Sequence, residues 1–125
     1  MSEMSHAEEF ELEGKSFVYI DFSGASKSEQ FAQRIEIAEP VIAKYPKNSI
    51  YTITNVKGIV IDTKSSERVA LFLMHNKPYV KYGAIIGYDG ITKVIVSSIL
   101  KMGQRDKFHF AFTIEQAIEW LLRQE

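Results

Sequence analysis

Residues 80–102 decide how the fold is read: Val80-Lys81-Tyr82-Gly83-Ala84-Ile85-Ile86-Gly87-Tyr88-Asp89-Gly90-Ile91-Thr92-Lys93-Val94-Ile95-Val96-Ser97-Ser98-Ile99-Leu100-Lys101-Met102. Val80 to Ile86 is a short apolar run stopped by Gly87, the pattern of a strand covered on both faces. From Ile91 to Met102 the spacing turns helical and predicts a helix presenting Val94, Ile95, Ser98 and Met102, with Gly103 as terminator. A strand that feeds directly into a helix is half of a βαβ unit, whose crossover makes successive strands parallel.

The same alternation extends in both directions. Toward the N-terminus, Ser16 to Ile20 is an aromatic and β-branched run ended by Asp21 and Gly24, a strand. Phe10 and Leu12, alternating with glutamates, predict an edge strand just before it. Ser26 and Glu29 fit a capping box for a helix whose buried face carries Phe31, Ile35, Ala38, Ile42 and Tyr45. Pro40 falls inside that helix and predicts a kink, and Pro46 closes it. Ser49 to Thr54 is a second strand, and Asn55 and Gly58 mark the turn after it. Ile59 to Ile61 reads either as more strand or as a buried loop. A helix starting at Asp62 or Ser65 then carries Val69, Phe72 and Leu73 inward, with Asn76 suited to a left-handed cap before Pro78. Toward the C-terminus, Phe108 to Phe112 is a fourth strand. Thr113 and Gln116 cap a last helix that buries Ala117, Ile118, Leu121 and Leu122.

The order β-α-β-α-β-α-β-α predicts a single small α/β domain with a mostly parallel sheet of four to five strands and helices packed against it. Residues 1–14 are expected to be a flexible leader or edge strand, and residues 15–125 the domain. For the four main strands the doubly wound order 2-1-3-4 is expected, with a ligand, if any, at the rim of strand C-termini.

Composition mainly excludes. The chain has 125 residues, 46% of them hydrophobic and 25% charged, enough for one packed core without disulfide or metal staples. A net charge of −1 and a pI near 6.3 remove a global electrostatic case for nucleic acid or acidic membrane. Cysteine is absent, so thiol catalysis, disulfides and zinc-thiolate sites are excluded. The first dozen residues carry four glutamates and no apolar run, unlike a secretory signal. No apolar stretch is long enough to span a bilayer. A cytoplasmic location is the default expectation, with no transmembrane segment and no nucleic-acid partner.

Three loops are expected at the rim: Asp21-Phe22-Ser23-Gly24, Asn55-Val56-Lys57-Gly58 and Gly87-Tyr88-Asp89-Gly90. If the first and third strands are neighbours, Asp21 and Asp89 could hold a cation or divide into acid and base. The simpler reading makes both of them caps of turns and helices. The glycines at 83, 87 and 90 do not form the dinucleotide fingerprint, and tight turns account for them. His6, His75 and His109 share no metal spacing, and Ser23 lacks the flanking of a nucleophile elbow. Neither a cofactor nor a metal is called for. Lys77, Lys81, Lys93, Lys101, Arg105 and Lys107 form a modest basic cluster. It reads as a solvated face or as a contact for an acidic partner or lipid headgroup.

At this level the chain resembles the SpoIIAA-like, or STAS-like (STAS/SEC14-type), bacterial domains. The resemblance is carried by Tyr19-Ile20-Asp21-Phe22-Ser23-Gly24, Ile53-Thr54-Asn55-Val56-Lys57-Gly58, Val80 to Lys93, Gly103-x-Arg105 and the stretch from Phe112 to Leu121. It covers residues 15 to 124 or so and implies a STAS-like α/β layer with no enzymatic activity. Sporulation anti-sigma antagonists of this group switch by phosphorylation of a serine in an Asp-Ser-x-Gly motif. Here Asn55-Val56-Lys57-Gly58 stands in the corresponding loop without a serine, and Ser65 and Ser66 downstream read only as helix-cap residues. SEC14-type relatives hold lipids in a cavity, for which a chain this short leaves little room.

The expected function is a non-enzymatic interaction or regulatory module that binds another protein or pairs with itself as a dimer, using Trp120, Leu121 and Leu122 of the last helix. The alternative is a binding domain for a small anionic or lipid-like ligand. Its residues are Asp21, Ser23, Gly24, Asn55, Gly58, Gly87, Tyr88, Asp89 and Gly90 of the rim. A metal-assisted enzyme using Asp21 and Asp89 is a third reading.

Overall fold

A computed structural model describes residues 6–124. Its elements are β1 (Ala7–Leu12), β2 (Lys15–Asp21), α1 (Ser28–Ala43), β3 (Ile50–Asn55), α2 (Thr63–Asn76), β4 (Val80–Ile86), α3 (Gly90–Met102), β5 (Phe108–Phe110) and α4 (Ile114–Leu122). Of residues 1–14, expected as a flexible leader or edge strand, residues 1–5 lie outside the described residues. The edge-strand reading holds for residues 7–12.

The sheet has five strands in the order β1-β2-β3-β4-β5. β1 is antiparallel to β2, and β2 to β5 run parallel. The hairpin closes on two residues, Glu13 at φ 51° and Gly14 at φ 78°, the left-handed pair that matches strand twist. That hairpin corrects the expected strand order. With β1 occupying one edge of β2, β3 can pair only on the other edge, so the chain steps outward strand by strand and never reverses. Right-handed crossovers taken in one direction put their helices on one face. The helices α1 and α2 cover Val18, Ile20 and Ile50 there, and α3 covers Ile85. α4 continues beyond the last strand and packs on the opposite face, over Phe17, Tyr51, Ile53 and Ala84.

Both faces are therefore apolar, which is why the strands read as continuous hydrophobic runs. On α1 the expected stripe is buried as Phe31, Ile35, Ala38 and Ile42, and the helix runs through Pro40. Its start lies one residue later than the expected box: Gln30 Oε1 accepts from the N–H groups of Ser26 and Lys27. On α2, Asp62 is the N-cap, accepting from Ser65 N at 2.8 Å. Ile59 to Ile61 is loop, with Ile59 and Ile61 packed on the core. On α4, Thr113 Oγ1 accepts from Gln116 N at 3.1 Å, as the capping pair predicts.

Two helix readings need correction. The buried face of α3 is Val96, Ile99 and Leu100, whereas Val94 is 70% and Met102 44% exposed. This helix is apolar around most of its circumference, so periodicity alone could not choose the inner face. Asn76 is not a left-handed cap. It ends α2 as a buried residue, and Asn48 takes the left-handed conformation instead, at φ 55°.

Candidate functional site

The three loops expected at the rim do meet there, and they bind one another. Phe22 N donates to Asn55 O at 2.9 Å, Gly24 N to Lys57 O at 2.8 Å, and Val56 N to Ile86 O at 2.9 Å. Each loop continues the parallel pairing of its strand for one more step. In open α/β sheets a ligand crevice forms where strand order reverses and neighbouring loops part. No reversal occurs between β2 and β5, so Asp21, Ser23, Gly24, Asn55, Gly58 and Gly87 close a seam.

The side chains of Asp21 and Asn55 are spent on that seam. Asp21 is buried and accepts from Ser23 N at 2.9 Å. The backbone carbonyls of Asp21 and Ser23 both accept from Arg34 Nη1, at 3.0 and 3.1 Å. Asn55 Oδ1 accepts from Lys57 N, and Asn55 Nδ2 donates to the Tyr19 hydroxyl, both at 3.0 Å. Asp89 caps α3, accepting from Thr92 N at 2.8 Å, and this backbone bond holds its carboxyl below the ordinary carboxylate range. Gly90 opens that helix.

Asp21 and Asp89 do not form a pair. β3 lies between their strands, a separation of about 10 Å in the sheet. The reading that joined them depended on adjacent first and third strands. Among the described residues no group of His, Asp and Glu is placed to hold a metal ion. The histidines are scattered: His75 meets Glu39 at 3.2 Å, His109 stacks on Trp120 at 4.6 Å, and His6 precedes β1.

The other candidates also separate. Leu121 is fully buried beneath the sheet, so it belongs to the core and offers no interface. Trp120 is half-buried between His109 and the edge of Tyr82, and Leu122 packs on the same cluster. The basic residues are divided: Lys81 lies over Tyr51 and Lys107 over Tyr82 on the α4 face, while Lys93 lies over Tyr88 and Phe110. Arg105, read as part of a solvated face, is buried. Ser65 is 1% exposed and unavailable as a surface hydroxyl.

One corner of the rim is open. Phe112, Ile91 and Val94 are 81%, 76% and 70% exposed, and the Tyr88 ring lies 6.2 Å from that of Phe112. Tyr88 also meets Phe110 edge-on at 5.0 Å. The sequence points to Tyr88 and not to the other three, because Ile91 and Val94 read as ordinary helix residues and Phe112 as the end of a strand that in fact stops at Phe110. The available signal was the surplus of apolar residues on α3. This helix carries two lysines, Lys93 and Lys101, and no acidic residue.

No protein-family model matches the chain, and no curated protein matches it. No helix among the described residues is long and apolar enough to cross a membrane.

Proposed function

We propose that this chain is a non-enzymatic, cytoplasmic interaction module that docks a protein partner on the corner of Tyr88, Ile91, Val94 and Phe112. The observation that carries it is the exposure of Ile91 and Val94 in the first turns of α3 and of Phe112, whose ring lies 6.2 Å from that of Tyr88 just before that helix. Scattered exposed apolar residues are ordinary, but a grouped set with an aromatic anchor marks an interaction surface. Lys93 lies beside the aromatic rings and the exposed carboxylate of Asp89 caps the same helix, so the corner offers a partner one charge of each sign around its apolar residues. A protein suits this corner better than a membrane, since two lysines and a net charge of −1 provide little attraction to anionic lipid.

The absence of enzymatic activity is part of this proposal. It is supported by the separation of Asp21 from Asp89 and by the engagement of both in local backbone bonds. Membership of the SpoIIAA-like, STAS-like group is proposed on the motifs quoted above, with the βαβ succession in support. The loop Asn55 to Gly58 carries no serine, so a phosphoserine switch at that position is not part of the reading.

A photo-crosslinking residue placed at Val94 in the full chain tests the docking corner, with the same residue at exposed Glu67 on α2 as control. The expected result in host extract is a discrete protein adduct from position 94 alone, abolished by Phe112→Asp. Equal labelling from both positions, no adduct, or co-sedimentation with anionic vesicles in place of a protein adduct would overturn the proposal.

A further inference from the structure

The sheet ends on β1, and the outer edge of β1 meets no other strand among the described residues. The register shows which groups that edge offers. Asp21 N donates to His6 O at 2.9 Å, and Ala7 stands opposite Ile20. Bonded and non-bonded pairs alternate along an antiparallel ladder. Glu8, Phe10 and Leu12 therefore turn their backbone groups toward β2, and Glu9 and Glu11 turn theirs outward. An outward row of N–H and C=O groups is a template for one more strand. The opposite edge of the sheet offers less, because β5 has three residues against six in β1.

The two faces of this edge differ. Ala7 packs on the α1 side of the sheet, and by strand alternation Glu9 and Glu11 share that side. Phe10 packs on the α4 side, stacked on Phe17 at 4.9 Å, and Leu12, 39% exposed, lies on the same side with Glu8. Between Ala7 and Gly14 there are glutamates at 8, 9, 11 and 13 and no cation. Among the described residues only Glu9 of these has an ion pair, with Lys44. Glu11 accepts a long bond from the Ser16 hydroxyl, at 3.4 Å, and Glu8 and Glu13 are exposed. Lys15, opposite Leu12 across the hairpin, is spent on the end of α4, where its Nζ donates to Leu122 O at 2.8 Å.

We infer that the free edge of β1 binds an extended basic segment of a partner, a strand that alternates lysine or arginine with apolar residues. Its backbone pairs with Glu9 and Glu11, its cations stand beside their carboxylates, and its apolar side chains lie against Phe10 and Leu12. Charge decides the occupant. A second copy would lay Glu9 and Glu11 against their own equivalents, and like charges directly opposite in a sheet repel. The glutamates that reject self-pairing thus select a basic strand. This edge is independent of the docking corner, which is built on α3 and the chain beyond β5 at the other end of the sheet.

Calorimetric titration of the full chain with a blocked heptapeptide alternating lysine and valine, lysine at both ends, tests the inference. Two further peptides of equal charge carry N-methyl groups on the lysine amides or on the valine amides. Methylation at lysine removes the bonds to Glu9 and Glu11 and is expected to weaken binding roughly tenfold. The valine amides point away from β1, and their methylation is expected to leave binding within about threefold. Glu11→Lys is expected to weaken the parent peptide roughly tenfold. Should that variant fail to fold, the two methylated peptides on the unaltered protein still separate strand pairing from charge attraction. Amide hydrogen exchange at Glu9 and Glu11 is expected to slow on binding. No binding, equal weakening by the two methylations, equal binding of a glutamate–valine counterpart, an unaltered affinity in Glu11→Lys, or self-pairing of the chain through β1 without peptide would overturn the inference.

Discussion

Gly87 faces Asn55 so closely that a Cβ at position 87 would stand 2.4 Å from Asn55 Oδ1 and 2.8 Å from Lys57 N. This contact lets β4 leave the sheet against the β3–α2 loop and seals the rim. Gly87 also holds φ at 83°, where a side chain is strained. Gly87→Ala is expected to cost about 2–4 kcal/mol, summing left-handed strain and overpacking. Gly14, at φ 78° with nothing near its Cβ position, isolates the first of these, and Gly14→Ala is expected to cost about 1–2 kcal/mol. Urea unfolding of the two variants checks the difference, and equal losses would mean the close approach is relaxed in solution.

Adjacent residues at the end of α3 are expected to respond with opposite signs. Gln104 takes the left-handed position, at φ 59°, with Gln104 N donating to Lys101 O and Arg105 N to Leu100 O as in a Schellman closure. Gln104→Gly relieves about 1–2 kcal/mol of strain and returns part of it as unfolded-state entropy, for a net gain of about 0.5 kcal/mol. Gly103 instead has φ −83°, and a Cβ there would lie 2.9 Å from Leu73 Cβ. Gly103→Ala is therefore expected to destabilise by about 1–3 kcal/mol through overpacking. Denaturant midpoints of both variants decide this.

Glu9 and Tyr45 tie the edge strand to α1 through a 2.6 Å hydrogen bond, with Lys44 at 2.8 Å from the other carboxylate oxygen. Burial first, and then the bond to Glu9, push the Tyr45 pKa up to about 12. A raised pKa means the folded state favours the protonated phenol. Its contribution is complete below the ordinary value of 10.0 and is lost as pH rises through about 12. Ultraviolet titration is expected to show Tyr45 ionising late. Glu9→Ala is expected to bring that tyrosine only part of the way back, because burial remains. Glu9 has the opposite sign: hydrogen bonds from Lys44 and then Tyr45 lower its pKa, so its contribution is present above 4.5 and fades as pH falls below.

Two substitutions, one just before the last helix and one within it, separate surface from core. Phe112, 81% exposed, is expected to tolerate Phe112→Ser within about 0.5 kcal/mol. Leu121, fully buried, is expected to lose about 2–5 kcal/mol on Leu121→Ala. Thermal unfolding of the pair separates surface from core directly. A large loss at Phe112 would place its ring inside the fold.

The order of strands and helices, the buried stripe of α1, the Asp62 turn at the start of α2 and the Thr113–Gln116 cap of α4 were all legible from the sequence. These are local: hydrophobic period, capping side chains and turn residues act within a few positions of one another. Strand order was not legible, because it depends on which edge of β2 the N-terminal hairpin leaves free. Much of the site followed from that one fact. Asp21 and Asp89 are separated by β3, the rim closes as a seam, and α1 to α3 share one face. The inward face of α3, the burial of Asn76 and the inward course of Arg105 were equally hidden. An apolar helix has no intrinsic inside, and a long cationic side chain is ordinarily solvated until a turn such as Gly103–Gln104 directs it under its neighbours. The sequence by itself determined which segments are strands and helices. Only the tertiary structure decided which side chains face one another, because that depends on long-range pairing that no local signal encodes.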